Sequence, residues 1–185
     1  MADIALKRAT YQDILDPPEG MVGEIISGAL YAQPRPRIAH ARAAMKLASK
    51  LAGPFDTDDE GPGGWIFLAG PELHLGDDIL VPDMAGWKRE RYPEIANDAY
   101  LAVAPDWVSE ILSPSTAQTD RALKADLHAR QGVSWMWLID PELKTLEASR
   151  NHQGKWLKLA VLKEGDEVKV EPFDAAPFKL DALWT

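Results

Sequence analysis

Cysteine is absent from the 185 residues, so neither a disulfide framework nor a thiolate metal site is available to this chain. No apolar run approaches the length of a membrane span. The first residues, Met1 to Arg8, lack the apolar core of a signal peptide. Together these absences make a cytoplasmic protein, with no membrane contact, the simplest expectation. A surplus of basic charge is missing too. Lys and Arg number 20 against 29 Asp and Glu, a net charge of −9. That argues against strong non-specific nucleic-acid binding, which needs clustered Lys and Arg to neutralise phosphates. It leaves room for a local basic groove and suits a site that gathers carboxylates around a divalent cation. Internal repeats and domain linkers are also lacking, and the length predicts one domain over 1–185.

What is present is an ordinary globular composition, 46% hydrophobic and 26% charged, enough for a substantial core. Seven Trp are many for this length. Most are expected to anchor the core, and any exposed ones would suit a homodimer interface.

Thr10 and Asp13 predict a capped short helix ending near Asp16, before Pro17-Pro18-Glu19-Gly20. Val22 to Ala32 reads as a hairpin turning near Ser27-Gly28. Arg37 to Leu51 is a helix with an apolar stripe of Ile38, Ala41, Met45 and Ala48, widened by Leu47 and Leu51, and Gly53-Pro54 is a stop signal. The acidic, Gly-rich run Phe55 to Gly64 predicts an exposed loop, with Asp56 to Glu60 solvated. Short strands follow at Trp65–Leu68, Glu72–Leu75, Ile79–Val81 and Met84–Trp87. Lys88 to Leu101 predicts a loop with one helical turn. Asp106–Leu112 is a strand, Thr116–Arg130 a helix ended by Gly132, and Val133–Asp140 a nearly continuous apolar strand suited to a covered central position. Strand, helix, strand in that order predicts a right-handed crossover joining a parallel pair. Thr145–Arg150 and Lys155–Leu162 form a hairpin, and the last twenty or so residues, with Pro172 and Pro177, read as irregular.

Two carboxylates sit awkwardly in this pattern. Asp83 lies in the apolar run Ile79 to Trp87, and Glu110 lies in Trp107 to Leu112. A charge carried into a buried strand costs several kcal/mol unless something pairs with it. Alternation puts Val108, Glu110 and Leu112 on one face and Trp107, Ser109 and Ile111 on the other. Pro82 restricts its position to a strand edge, bulge or start, so a break there turns Asp83 inward at a fork in the sheet. Asp120, Lys124 and His128 are spaced at four and share one helix face. Burying the bordering Leu123 and Leu127 brings Lys124 toward the sheet that carries Glu110. Two acids, a lysine and Glu24 then converge, an arrangement suited to a hard divalent cation such as Mg²⁺.

Each assignment has a plainer competitor. Asp83 and Glu110 read equally as ion-paired strand ends, Lys124 as a surface partner of Asp120, and Glu24 as a strand residue facing water. His40 reads as a surface or boundary residue. His74, His128 and His152 have no metal-ligand spacing to one another. Trp135 and Trp137 share one face of a central strand and read as packing.

Val81-Pro82-Asp83, Glu110-Ile111-Leu112-Ser113-Pro114-Ser115-Thr116, Asp120, Lys124, Gly132-Val133 and Trp137-Leu138-Ile139-Asp140-Pro141 resemble the Uma-two family of endonucleases, within the PD-(D/E)XK superfamily. The resemblance covers about Glu24 to Arg150. It implies an α/β fold of restriction endonuclease-like type, a mixed central sheet flanked by helices, with an added β-hairpin near the C-terminus. It implies Mg²⁺- or Mn²⁺-dependent hydrolysis of DNA phosphodiester bonds. Asp83 and Glu110 would be metal ligands, the Ile111 carbonyl a third, Lys124 the catalytic lysine, and Glu24 the holder of a water or a second metal. The chain departs from the superfamily at Leu112, where the usual lysine would stand two residues after the second acid. It departs from the family at His128, often tyrosine, and at Trp135, often glutamate. A fold of this kind serving as a non-catalytic binding or assembly module is the alternative.

Overall fold

The computed structural model describes residues 8–57, 61–94 and 97–185. Asp58 to Glu60 of the acidic run, and Ile95-Ala96 of the polar stretch before Leu101, lie outside the described residues, as do Met1 to Lys7.

Strand β1 (Met21–Ile26) and strand β2 (Ala29–Pro34) form the expected hairpin. Its tight turn places Ser27 and Gly28 at positive φ, 53° and 80°. That conformation matches the twist of two-residue hairpins, and the Ser27 N–H is tied to Asp78 Oδ1 at 2.6 Å. Before it, helix α1 (Tyr11–Leu15) is capped as its sequence predicts, the Thr10 N–H donating to Asp13 Oδ2 at 2.7 Å.

Strands β4 (Leu73–Leu75) and β5 (Asp78–Leu80) join that hairpin in a four-stranded sheet of order β2-β1-β5-β4. The remaining long strands are β3 (Trp65–Ala69), β6 (Met84–Lys88), β7 (Trp107–Ile111), β8 (Trp135–Asp140), β9 (Thr145–His152) and β10 (Lys155–Lys163). They build a six-stranded sheet of order β10-β9-β8-β7-β6-β3. It is mixed: β7 and β8 run parallel and the other neighbours antiparallel. The predicted parallel pair and the added hairpin are both present, the hairpin β9–β10 extending one edge of this sheet. The chain crosses from one sheet to the other at Val81-Pro82-Asp83, between β5 and β6. Proline cannot donate to a ladder, and the strand breaks where the sequence predicts a fork.

Helix α2 (Ile38–Phe55) differs from expectation at its end and on its face. It runs through Gly53-Pro54, because Phe55 is buried against Phe173 with ring centroids 4.9 Å apart. Its inward stripe is Ala43, Leu47, Leu51 and Phe55, whereas Ile38 and Met45 are 89% and 67% exposed. Bulk misled the periodicity at the N-terminal half, where Ala43 and half-buried Ala44 pack inward in place of Ile38 and Met45.

The core lies on both faces of the six-stranded sheet. Trp107, Ile111, Trp137 and Ile139 point to the side covered by α2 and the C-terminal segment. Val108, Leu112, Met136 and Leu138 point to the other. This alternation is the one predicted for β7, and it places Trp137, with half-buried Trp135, in packing roles. All seven tryptophans are buried or half-buried.

The described part of Lys88 to Leu101 carries the expected single turn, the Tyr92 N–H donating to Lys88 O at 2.9 Å, and Leu101 bridges Leu73. Two further expectations are corrected. Asp56 is not solvated, since it pairs with Arg89 at 2.6 Å and accepts from the Phe67 N–H at 3.2 Å. The C-terminus is ordered into β11 (Glu167–Val168), β12 (Phe178–Lys179) and a 3₁₀ turn, Leu180–Leu183. Phe173, Leu180 and Leu183 bury themselves in the main core, which outweighs the two prolines. No described helix is long and apolar enough to cross a membrane.

Candidate active site

The predicted helix after β7 is continuous in space but not uniform. Helix α3 (Ala117–Thr119) passes into a π-helical turn, Asp120–Lys124, and then into α4 (Ala125–Arg130). π turns are rare and concentrate at functional sites. Here the widened turn carries Asp120 and Lys124, both almost fully buried, and His128 follows one turn later with no exposure.

Lys124 is the hub. Its Nζ lies 2.9 Å from Glu110 Oε1, 3.1 Å from Glu24 Oε1 and 3.6 Å from Asp120 Oδ1. The surface-helix reading of Lys124 is therefore excluded. So is a water-facing Glu24, which is 2% exposed. Glu24 is also held by the Val81 N–H at 2.7 Å and by Gln33 Nε2 at 2.8 Å. Glu110 projects from β7 with 2% exposure.

Asp83 sits at the expected break between the sheets, its side chain 23% exposed. Its Oδ2 accepts from the Ile111 N–H at 2.7 Å, and its Oδ1 lies 2.7 Å from His40 Nε2. His40 is thus no bystander. The signal for it was available: His40 stands three, four and seven residues before Ala43, Ala44 and Leu47, on the inward face of α2.

Asp83, Glu110, Glu24, Lys124, Asp120 and Ile111 all line one cavity of about 580 Å³. Leu112, at the position of the superfamily lysine, does not; it packs with Val108 and Leu138. The sequence did not foresee that Arg35 and Arg37, from the loop between β2 and α2, border the same cavity.

The electrostatics follow from crowding acids in a dry place. Burial, outweighing the nearby Lys124 ammonium, pushes the Glu110 carboxyl up to about 8. Asp120 rises to about 7, through burial and then the charge of Glu110. For Lys124, burial works against the charge, but Glu110, Glu24 and Asp120 hold it well above its ordinary value. Burial and then the Lys124 charge push His128 down to about 3, so the ring is neutral 3.5 Å from Glu110. His40 is half-buried, which disfavours its charge, yet its bond to Asp83 raises it.

Among the described residues no three His, Asp or Glu side chains are in joint ligating geometry. A site for Mg²⁺ needs only one or two carboxylates, completed by water and substrate oxygens. The donors here fit that demand: Asp83 and Glu110 supply hard oxygens to one cavity.

A mixed sheet with a break before an aspartate, and an acid-lined cavity beside its parallel pair, defines a restriction endonuclease-like protein. The sequence pattern of the Uma2 family, described as "Putative restriction endonuclease", matches residues 8–181. The chain belongs to that family. Its fold is similar to the crystal structure of a protein from Anabaena variabilis described as "a putative nuclease", with a TM-score of 0.73 and 24% identity over 95% of this chain and 97% of the other. No curated protein matches the chain.

Proposed function

We propose that this protein is a Mg²⁺- or Mn²⁺-dependent endonuclease that hydrolyses phosphodiester bonds in DNA. The observation that carries this reading is the Lys124 ammonium 2.9 Å from Glu110 at a cavity also lined by Asp83. Family membership supports it. Asp83 and Glu110 would hold the metal, with the Ile111 carbonyl as a third donor, and a bound ion would supply Lewis-acid chemistry to a phosphoryl oxygen and a water. Lys124 orients the attacking water and stabilises the charge that builds on the phosphoryl oxygens. Glu24 fixes the Lys124 ammonium and keeps it protonated. Asp120 does the same from one turn earlier. His40 holds the Asp83 carboxylate from the α2 side while the Ile111 N–H holds it from β7, so its orientation is set before substrate arrives.

The lysine therefore reaches the acids from a helix rather than from the strand position at Leu112. Incubation of the purified protein with supercoiled plasmid and Mg²⁺ or Mn²⁺ tests the reading. Nicking by the wild type and none by Asp83→Ala is the expected result. A plasmid left intact by both, or nicked equally by both, overturns it and leaves the non-catalytic module.

A further inference from the structure

The rim of the cavity carries information that the acid cluster does not. Among the described residues every arginine except Arg35 and Arg37 is tied to a carboxylate or carbonyl oxygen of the protein. Arg35 and Arg37 are exposed, have no such partner, and both border this one cavity. In a chain of net charge −9, the unspent guanidinium groups are thus gathered where the buried carboxylates would otherwise repel a polyanion. Guanidinium groups match phosphate oxygens in geometry and charge.

The rest of the lining selects the form of that polyanion. Val22, Pro34, Pro36, Val81 and Pro82 give the cavity an apolar wall. A duplex keeps its bases stacked inside and offers sugars and phosphates outside, whereas unstacked bases seek apolar or aromatic faces. The acids are recessed, with Glu24 and Glu110 only 2% exposed. A cavity of about 580 Å³ is of the size that encloses a small ligand, such as a nucleotide, so a double helix engages it only where its strands open, as negative supercoiling favours. Ser113, Ser115 and Thr116 add a cluster of hydroxyls, Ser113 Oγ lying 3.0 Å and 3.1 Å from the other two.

We propose that the cavity takes a single-stranded stretch of DNA, with one unstacked nucleotide against the proline wall and the flanking phosphates held by Arg35 and Arg37. This rests on the reading of the same cavity as a DNA-cleaving site and names the form of DNA it accepts.

The test is fluorescence anisotropy of the full chain with a labelled thymidine oligonucleotide and with a blunt duplex of equal length, Ca²⁺ replacing Mg²⁺. The single strand binds at least ~10-fold more tightly, in line with base stacking against the protein. With two phosphate contacts, the log–log salt slope is about −1.4. The double variant Arg35→Ala/Arg37→Ala, whose sites are exposed and whose fold is checked by circular dichroism, loses most of that slope and binds ~10-fold more weakly. Equal or tighter binding of the duplex, or unchanged affinity in the folded double variant, overturns the proposal. Selective single-strand binding by a protein that leaves DNA intact with Mn²⁺ supports it and sinks only the cleavage reading. Duplex cleavage untouched by the double substitution does the reverse.

Discussion

The Lys124 ammonium and the Glu110 carboxylate lie 2.9 Å apart, although one comes from a π-helical turn and the other from β7. A lysine on the same strand would need only the pleat to bring it near. One on a helix needs the turn widened and the pair buried together. This pair is therefore both a structural joint and the proposed centre of the chemistry, and its removal has two separable consequences.

Lys124→Met keeps the length of the side chain and removes the charge from among Glu24, Glu110 and Asp120. Breaking a buried ion pair on one side costs about 3–5 kcal/mol. The remaining acids relieve part of that cost by taking up protons, so the loss is larger at pH 8 than at pH 5. Urea denaturation at the two pH values measures it, and plasmid nicking is lost at both. A variant as stable as wild type at pH 8 contradicts the hub role of Lys124.

The pH dependence of the wild type has a definite sign. Glu110 and Asp120 are raised to about 8 and about 7 by burial and neighbouring charge. The folded protein then binds more protons than the unfolded chain from the ordinary carboxylate range up to those values, and stability falls as pH rises through them. His128, pushed down to about 3, acts with the opposite sign, but its contribution is complete above about 6.5. Between pH 6.5 and 8 the carboxyls act together with His40, whose value, raised by Asp83 against its burial, gives the same sign. Stability there declines by up to about 1.4 kcal/mol per pH unit for each. Glu110→Gln, which mimics the protonated acid, gives a flatter profile by urea denaturation and exceeds the wild type at pH 8. A wild-type profile that is flat or rises over this window contradicts the buried-acid assignment.

Much of this architecture was legible from pattern alone, for identifiable reasons. Alternation along Trp107 to Leu112 fixed the two faces of β7, because a sheet covered on both sides enforces the pleat. Ser27-Gly28 and Pro82-Asp83 were readable because positive φ and a missing N–H leave few alternatives. Spacing at four brought Asp120, Lys124 and His128 together, but nothing local encodes a π turn. The buried face of α2 was misread because Ile38 and Met45 carry more bulk than the alanines that pack. That error hid His40, and with it the hold on Asp83. The C-terminal segment was illegible because its order comes from distant partners such as Phe55, which no local window contains.

Asp83→Asn separates chemistry from folding. The amide oxygen still accepts from the Ile111 N–H, whose loss as a buried donor would otherwise cost about 1–3 kcal/mol. The side chain is 23% exposed, so the variant folds with stability within about 1 kcal/mol of wild type. It lacks the charge to hold a divalent ion, and nicking with Mg²⁺ or Mn²⁺ disappears. Isothermal calorimetry shows the matching loss of Mn²⁺ binding. Nicking at the wild-type rate removes Asp83 from the proposed site.

Leu112 tests whether the strand position of the lysine remains usable. Its side chain is 3% exposed and packs with Val108 and Leu138, while its N–H donates to Ile139 O at 2.7 Å. Leu112→Lys therefore places an ammonium in an apolar cluster outside the cavity lining. Bending back toward Glu110 brings it against Lys124, a like charge already held there. Either outcome is unfavourable, and the variant loses several kcal/mol by urea denaturation. In combination with Lys124→Met it does not restore nicking, because the cluster that fits Leu112 directs the new stem away from the cavity. Restored activity in the double variant would show that this fold accepts its lysine from either element, and that the π turn is dispensable.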